Sequence, residues 1–85
     1  MNNINIKPFG IMREYINNNL VVTIEDNSKI SDLRHKLSIL LKNNTNINNE
    51  LLKCSVFANT NEILNEEYII QKKETIFILP PVSGG

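Results

Sequence analysis

Apolar and polar residues alternate at the start of the chain, which is the pattern of a half-buried β-strand. In INIKPF, residues 4–9, the alternation places Ile4, Ile6 and Pro8 on one face. LVVTI at 20–24 is rich in β-branched residues and predicts a second strand. Between them, GIMREYINNN begins with Gly and ends in an Asn triplet that suits a turn. The pattern therefore predicts a hairpin with a long connection.

After Ser28 the apolar period changes from that of a strand to that of a helix. The apolar residues at helical spacing are Ile30, Leu33, Leu37, Leu40 and Leu41. Ser28 or Ser31 is available as the N-cap, and Asp32 stands near the positive end of the helix dipole. The segment predicts one amphipathic helix over about residues 30–42.

The second half of the chain predicts a loop followed by further strands. The polar segment NNTNINN at 43–49 does not continue the apolar stripe and is expected to be a surface loop. CSVFAN at 54–59 returns to period two and predicts a strand, whereas residues 63–74 lack a clean period and are expected to hold a short edge strand and a helical turn. TIFIL at 75–79 is the last predicted strand, because the two prolines after it favour neither a helix nor a ladder.

Strands, one helix and then further strands are typical of an α+β sheet that is covered on one face. The ubiquitin-like β-grasp is the commonest small fold of this kind, and another small α+β arrangement is the alternative. In a β-grasp the first and last strands lie parallel at the centre of a mixed sheet, so the last strand directs the tail away from the body. We expect a β-grasp domain over residues 1–79 and a flexible, extended Gly-Gly tail over 80–85.

Strand alternation also predicts which side chains the sheet leaves uncovered. The residues expected to face the helix are Ile4, Ile6, Cys54, Val56, Ala58, Ile76 and Ile78. Those expected on the opposite face are Phe9, Phe57, Phe77 and Leu79. A contiguous apolar patch is typical of a protein interface, so we expect these four residues to bind a partner. The alternative is that loops or a reversed register bury some of them.

Charge and composition disfavour several classes of function. Nine Lys and Arg residues balance nine Asp and Glu residues, which argues against binding to nucleic-acid phosphates. The apolar runs are far shorter than the roughly 18 to 20 residues that span a bilayer, and the Asn-rich start is unlike a signal peptide. The single cysteine forms no internal disulfide, which fits a reducing compartment. We expect a cytoplasmic protein without a nucleic-acid or membrane partner.

The nucleophilic and titratable residues form no catalytic triad, phosphate-binding loop or metal-ligand cluster in the sequence. Cys54 begins a predicted strand among apolar neighbours and is expected to act as a small hydrophobe, not as a sulfur relay. His35 stands between Arg34 and Lys36 and is expected to be solvated. Asp32 and Lys36 have the i, i+4 spacing of a surface helix pair.

The sequence ends on LPPVSGG, an apolar segment without charge, and this end resembles the MoaD/ThiS family of ubiquitin-like sulfur carriers. Within that family it is most similar to the small subunits of molybdopterin synthase, because the thiamine-pathway relatives usually lack the Pro-Pro pair. Further matching segments are Phe9-Gly10 with Arg13-Glu14, Ile30-Ser31-Asp32-Leu33 and Phe57-Ala58-Asn59. Two features depart from the family pattern. Lys72-Lys73 stands where the family often has a Gly-Asp-like turn, so the sequence does not decide whether the backbone is left-handed there. The Asn-rich segments at 17–19 and 43–49 are longer or more polar than the pattern needs.

The resemblance implies a carrier that binds no cofactor or metal and performs no catalysis on its own. A ubiquitin-activating-type adenylyltransferase would use ATP to adenylate the Gly85 carboxylate, and a persulfide donor would convert it into a thiocarboxylate. The thiocarboxylate would give its sulfur to precursor Z, cyclic pyranopterin monophosphate, inside the large subunit of molybdopterin synthase. The implied assembly is a heterotetramer with two large subunits at the centre. Arg13-Glu14 would contact the activating enzyme or close its own loop.

The tail composition has a physical reason in this scheme. The residues expected to thread into a partner are Pro80, Pro81, Val82, Ser83 and Gly84, which lead to the reacting Gly85. The glycines lack side chains and pass through a narrow channel, and the prolines stiffen the root and lower the entropy lost on threading. The six residues after Leu79 reach about 20 Å when extended.

Other functions share these features. A carrier for thiamine, cysteine or tRNA thiolation would have the same fold and Gly-Gly end. A protein modifier that forms isopeptide bonds with lysines needs only the adenylated tail. A purely structural interaction domain would tolerate an extended C-terminus. The intact mass of the chain after expression beside the activating enzyme separates these classes. A sulfur carrier gains roughly 16 Da by exchange of one oxygen for sulfur, whereas a modifier is found attached to other chains.

Overall fold

The computed structural model describes residues 1–81 and confirms the ubiquitin-like β-grasp fold. The elements in chain order are β1 (Asn2–Pro8), a 3-10 helix (Gly10–Glu14), β2 (Leu20–Ile24), α1 (Ile30–Asn44), α2 (Asn49–Lys53), β3 (Val56–Ala58), β4 (Ile63–Leu64) and β5 (Thr75–Leu79). The strands form one mixed sheet in the order β2-β1-β5-β3-β4. β1 and β5 pair in parallel, and the remaining pairs are antiparallel.

The two central strands have the predicted phase. Ile4 and Ile6 on β1, and Ile76 and Ile78 on β5, are fully buried, and Ile6 lies opposite Ile76 in the parallel pair. The core-facing residues of α1 are Ile30, Leu33, Leu37 and Leu41. The side chains on the inner face of the central strands therefore pack against the apolar face of α1 in one core, as the sequence predicted.

The β1–β2 connection is more ordered than the predicted turn. It contains the 3-10 helix, and both Met12 and Ile16 are buried in the core. The Ile16 N–H donates to the Met12 carbonyl oxygen at 3.0 Å. Two core residues in the loop explain why the hairpin tolerates so long a connection.

The start of α1 differs from the prediction, because neither serine caps it. Lys29 occupies the N-cap position, and its N–H donates to Asp32 Oδ2 at 2.9 Å. The Ser28 hydroxyl instead donates to the Glu25 carbonyl oxygen at 2.7 Å. The Asp32 carboxylate thus satisfies a helix-start N–H from inside the helix.

The predicted surface loop at 43–49 is wrong in part. Helix α1 continues to Asn44, and Ile47 is buried in the core. Helix α2 then begins, with the Asn48 side-chain oxygen accepting from the Glu50 N–H at 2.7 Å. Because the segment is mostly polar, its composition did not indicate that Ile47 is buried or that a five-residue helix begins at Asn49.

Strand β3 has the opposite phase from the prediction. Phe57 is only 1% exposed, whereas Val56 and Ala58 are half-buried. Phe57 lies opposite both the buried Ile78 and the buried Leu64, and directly opposed residues share a face. The predicted strand began at Cys54, but Cys54 is the exposed C-cap of α2. The true strand is too short to show its own period.

The segment at 63–74 contains the predicted short edge strand, β4, but no helical turn. Turns and a single bridge between Lys29 and Ile69 organise it. The Tyr68 hydroxyl donates to Glu74 Oε2 at 2.8 Å, and the Gln71 N–H donates to Glu74 Oε1 at 2.8 Å. Burial first, and then the Glu74 carboxylate, raise the pKa of Tyr68.

A left-handed turn is present at the Lys72-Lys73 position, where Lys73 has φ +55°. The buried Asn2 side chain holds this turn, because its Nδ2 donates to the Gln71 carbonyl oxygen and its Oδ1 accepts from the Lys73 N–H. The lysine therefore adopts the geometry that a glycine would supply more easily. The turn leads directly into β5.

Neither α1 nor α2, the α-helices found within residues 1–81, is long and apolar enough to cross a membrane.

Candidate functional site

An apolar cluster lies on the sheet face opposite α1. The Phe9 and Phe77 rings meet edge to face, with centroids 5.4 Å apart and an interplanar angle of 84°. Val56 pairs with Leu79 and Ala58 pairs with Phe77, which places both β3 residues on the same face. We call Phe9, Val56, Ala58, Phe77 and Leu79 the open-face cluster. The structure thus brings together three of the four predicted docking residues, and Phe57 is excluded because it lies in the core.

The open-face cluster is most exposed to solvent at Phe9 and less exposed on β5. Phe9 is 42% exposed, while Phe77 and Leu79 are half-buried. The Arg13 guanidinium carbon lies 5.7 Å from the Phe9 ring centroid, and its Nε donates a long hydrogen bond of 3.5 Å to the Pro8 carbonyl oxygen. Arg13 therefore closes its own loop, and it also presents a cation beside the apolar face.

The root of the tail is fixed against the β1–β2 connection. The Phe9 N–H donates to the Ile78 carbonyl oxygen at 3.0 Å, which extends the parallel β1–β5 pairing by one residue. Gly10 follows with φ +56°, and a Cβ at this position would lie 3.2 Å from Pro80 Cγ. Gly10 therefore provides both the backbone conformation and the space in which the Pro80 ring lies. Pro80 and Pro81 are half-buried.

The rest of the predicted threading segment, Val82, Ser83 and Gly84, and the predicted reacting residue Gly85, lie outside the described residues. β5 is a central strand, and the chain leaves the sheet beside Gly10 and the open-face cluster. The open-face cluster and Pro80 are therefore adjacent.

A model of the ThiS family matches residues 6–85, which include the end of β1, all the other strands, α1 and the Gly-Gly end. The chain belongs to the ThiS family. This ThiS-family chain is a ubiquitin-like sulfur carrier, a small protein of a kind that generally performs no catalysis. No curated protein sequence matches it significantly.

Two solved structures share the fold of this ThiS-family chain at low sequence identity. The crystal structure of SAMP1 from Haloferax volcanii superposes with a TM-score of 0.69 and 16% identity, covering 98% of this chain and 99% of that one. Caldiarchaeum subterraneum ubiquitin gives a TM-score of 0.65 and 13% identity, covering 99% and 98%. These similarities establish the β-grasp fold.

Two polar residues weighed in the sequence do not belong to the site of this ThiS-family chain. Cys54 is exposed, with Sγ 4.0 Å from Glu50 Oε2, so the expectation of a small buried hydrophobe is wrong. His35 is exposed on α1, as expected. Within residues 1–81, no three His, Cys, Asp or Glu side chains are grouped to hold a metal ion.

The predicted Asp32–Lys36 pair is also absent among the described residues, because each side chain has another partner. The Asp32 carboxylate accepts from the Lys29 N–H at the start of α1. The Lys36 ammonium donates to the Thr23 carbonyl oxygen on β2. Asp32 therefore stabilises the start of α1, and Lys36 links α1 to β2.

Arg34 lies on the helix side of the sheet and binds the connection between α2 and β3, and sequence analysis gave it no role. Its Nη1 donates to the carbonyl oxygens of Leu52, Lys53 and Ser55 at 2.9 to 3.1 Å. The Glu66 carboxylate accepts from Arg34 Nε and Nη2 at 3.0 and 2.7 Å, and this interaction lowers the pKa of Glu66. A lone arginine on a helix next to a core leucine gives no sequence signal, since its partners are mostly backbone carbonyls distant in the chain.

Proposed function

We propose that this ThiS-family chain is the sulfur carrier subunit of a molybdopterin synthase. The observation that carries the proposal is the segment Pro-Pro-Val-Ser-Gly-Gly, which follows a central strand and lies within the family match through Gly85. The fit of Pro80 against Gly10 supports it, because it gives the segment a fixed root beside an apolar docking face. The protein would act in the cytoplasm, where ATP and persulfide donors are available.

The carrier chemistry begins with activation of the Gly85 carboxylate. A carboxylate is a poor acyl donor, since its charge repels nucleophiles and its leaving group would be oxide. In the proposed first step a carboxylate oxygen attacks the α-phosphorus of ATP on a ubiquitin-activating-type adenylyltransferase and releases pyrophosphate. The resulting acyl-adenylate has AMP as a good leaving group.

Sulfur then replaces the nucleotide in two steps. The terminal sulfur of a donor persulfide attacks the Gly85 acyl carbon and expels AMP, which leaves an acyl disulfide. A thiolate attacks the donor sulfur of that disulfide, so a new disulfide forms and the Gly85 thiocarboxylate is released. The thiocarboxylate is anionic at neutral pH and strongly nucleophilic, as thiolates are.

In the last stage the large subunit supplies the catalysis. The thiocarboxylate sulfur attacks an electrophilic carbon of cyclic pyranopterin monophosphate and displaces an oxygen substituent from that carbon, which gives a thioester between Gly85 and the pterin. Water then attacks the Gly85 acyl carbon and breaks the acyl–sulfur bond, so the sulfur stays on the pterin and the Gly85 carboxylate is returned. The open-face cluster would dock on the large subunit and place the tail in its active site. We propose a heterotetramer in which each carrier buries this cluster once.

The experiment that tests the proposed pathway begins with the thiocarboxylated chain, a molybdopterin synthase large subunit and cyclic pyranopterin monophosphate. We expect sulfur to appear in the pterin product while the carrier loses about 16 Da by exchange of sulfur for oxygen. The matched control replaces the large subunit with a thiamine-pathway thiazole synthase and its substrates. Consumption of the thiocarboxylate in the control alone would contradict the molybdenum branch, and attachment to lysines of other proteins would indicate a modifier.

A further inference from the structure

Lys7 lies on the same sheet face as the open-face cluster. Buried and exposed residues alternate along β1, and the exposed Lys7 follows the buried Ile6, so its side chain projects from the face opposite α1. In the parallel β1–β5 pair Lys7 is in register with Phe77, whose ring contacts Phe9. Residues in register on neighbouring strands project to the same face, so the lysine stands beside the aromatic pair.

The apolar part of this face continues away from Lys7 to the edge strand β4. Ala58 pairs with Phe77 on one side and with Ile63 on the other, so Ile63 extends the face of the open-face cluster. Ile63 is 73% exposed, which leaves most of its hydrocarbon available to a partner. The row across the sheet therefore runs from a cation at Lys7 through three apolar residues.

The cationic end of the row has no carboxylate partner in the part of the chain that the structure describes. None of the ion pairs found there involves Lys7 or Arg13. The Arg13 guanidinium carbon lies 5.7 Å from the centroid of the Phe9 ring. A cation therefore stands beside each of the two rings, Lys7 beside Phe77 and Arg13 beside Phe9.

Docking through the open-face cluster would remove water from the surroundings of Lys7. An ammonium group that loses its water is costly unless another polar group replaces it, and lysine is depleted at the centres of interfaces. A partner carboxylate compensates best, since a charge-assisted hydrogen bond is roughly twice as strong as a neutral one. Without such a carboxylate, the long lysine side chain would have to carry its ammonium out of the interface into solvent.

We propose that Lys7 selects the partner by forming an ion pair with a carboxylate on the surface that docks on the open-face cluster. The inference rests on the proposed function and adds the chemistry that the docking surface needs. That surface should carry apolar side chains over Phe9, Phe77 and Ile63, and an Asp or Glu at the Lys7 end. A partner with a basic or apolar residue there would bind more weakly, although it covers the same apolar side chains.

Titration calorimetry of the full chain with a molybdopterin synthase large subunit tests the ion pair through two substitutions. Lys7→Glu should weaken binding by at least about tenfold. Lys7→Met keeps an unbranched side chain without the charge, and it should weaken binding by at least about fivefold because the partner carboxylate is left unpaired. An unchanged or tighter affinity for Lys7→Met would overturn the proposal, since Lys7 would then extend into solvent.

The matched control is Lys53→Glu, which makes the same charge change at an exposed lysine of α2, away from the open face. It should change the affinity by less than about twofold. Lys7 is also exposed, so all three variants should keep the thermal unfolding midpoint of the parent within a few degrees.

A charge-swap experiment identifies the carboxylate on the large subunit. Each Asp and Glu on the surface that the chain protects from hydrogen exchange is replaced by Lys, and each partner variant is measured with the parent and with Lys7→Glu. One partner variant should bind Lys7→Glu at least about tenfold more tightly than the unmodified partner does, and should bind the parent more weakly. Absence of any such rescue would overturn the proposal.

Failure of the ion pair can be told apart from failure of the proposed function. If Phe9→Ala weakens binding to the large subunit but both Lys7 variants behave like Lys53→Glu, docking stands and the ion pair does not. If the parent does not bind the large subunit, the proposed function fails, and the same series is measured as KM for the chain in ATP–pyrophosphate exchange by the activating enzyme. Equal KM values for the parent and both Lys7 variants there would overturn the ion pair.

Discussion

The guanidinium carbon of Arg34 lies 4.8 Å from the centroid of the Phe57 ring. This contact joins α1 to β3 at the point where the predicted phase of the strand failed. Arg34 covers the one phenylalanine that lies in the core, and the same side chain binds three carbonyl oxygens around the end of α2. A single polar residue therefore holds two elements whose own sequences are too short to define their position.

We expect Arg34→Lys to lower the free energy of unfolding by about 1 to 3 kcal/mol. A lysine ammonium cannot bind the carboxylate and several carbonyls at once, and it lacks the planar group that lies over the ring. Urea denaturation of the isolated chain measures the loss. The control is Arg13→Lys, where the arginine is exposed and makes one long hydrogen bond, and it should cost less than about 0.5 kcal/mol. Equal losses in the two variants would contradict the role given to Arg34.

The Arg34–Glu66 interaction also makes stability depend on pH. Its hydrogen bond holds the pKa of Glu66 below the ordinary value of 4.5, so the folded state favours the ionised carboxylate. A depressed folded-state pKa gives stability that is present above the unfolded pKa and is lost as the pH falls through the folded pKa. Glu66→Gln should therefore be less stable than the parent at pH 7, and the difference should narrow below pH 4.5.

Thermal unfolding at a series of pH values measures this effect, with Glu62→Gln as the control. Glu62 is exposed and forms no ion pair with residues 1–81. Its substitution should leave the pH profile parallel to that of the parent. A Glu66→Gln profile that is also parallel would show that the carboxylate contributes nothing specific.

The central strands and α1 could be predicted from the sequence because their periods extend over several residues. Ile4 and Ile6, like Ile76 and Ile78, alternate in segments long enough to define a face. β3 has three residues, so its phase depended on where the strand was taken to begin, and starting at Cys54 inverted it. Local sequence could not correct this error, since the register that buries Phe57 is set by β5.

The candidate site was predictable in part for the same reason. Phe77 and Leu79 follow the strong alternation of β5, and Phe9 follows that of β1, so their common face was confirmed. The contact between Gly10 and Pro80 was not foreseen, because it joins two residues far apart in the chain through the geometry of the sheet. Chemistry at Gly85 rests on the tail sequence and the family match, and it stays a proposal.

Gly10→Ala should destabilise the chain by about 1 to 2 kcal/mol through its left-handed backbone conformation, with an added cost from contact with Pro80. Denaturant unfolding of a double-mutant cycle separates the two effects. If the Cβ presses on the proline ring, Gly10→Ala should cost less in a Pro80→Ala background than in the parent. If Gly10→Ala lowers the free energy of unfolding equally in both backgrounds, only backbone strain matters, and Gly10 does not provide the space in which Pro80 lies.

Phe9→Ala should weaken binding to the molybdopterin synthase large subunit by about 1 to 4 kcal/mol, the range for an apolar anchor within an interface. Leu79→Ala should act in the same direction. Since Phe9 is 42% exposed, its removal should cost the isolated chain little more than the aromatic contact with Phe77, about 0.5 to 1.5 kcal/mol. Titration calorimetry gives the affinity, and urea denaturation gives the stability.

The matched core variant is Ile6→Ala, which should cost about 2 to 5 kcal/mol of folding stability because the side chain is fully buried. The folded fraction of this variant should bind the large subunit normally. If Phe9→Ala unfolds the chain as readily as Ile6→Ala does, or leaves the affinity unchanged, the docking surface does not include the open-face cluster.

The most direct test of the central claim is the intact mass of the chain after incubation with its activating enzyme, ATP and a persulfide donor. The account expects a gain of about 16 Da at Gly85, with no such gain when ATP is omitted. A variant with one residue appended after Gly85 should fold normally and show no gain, because the activated group is the carboxylate of that glycine. Sulfur loading of the extended variant, or an unchanged mass in the parent despite adenylation, would contradict the account.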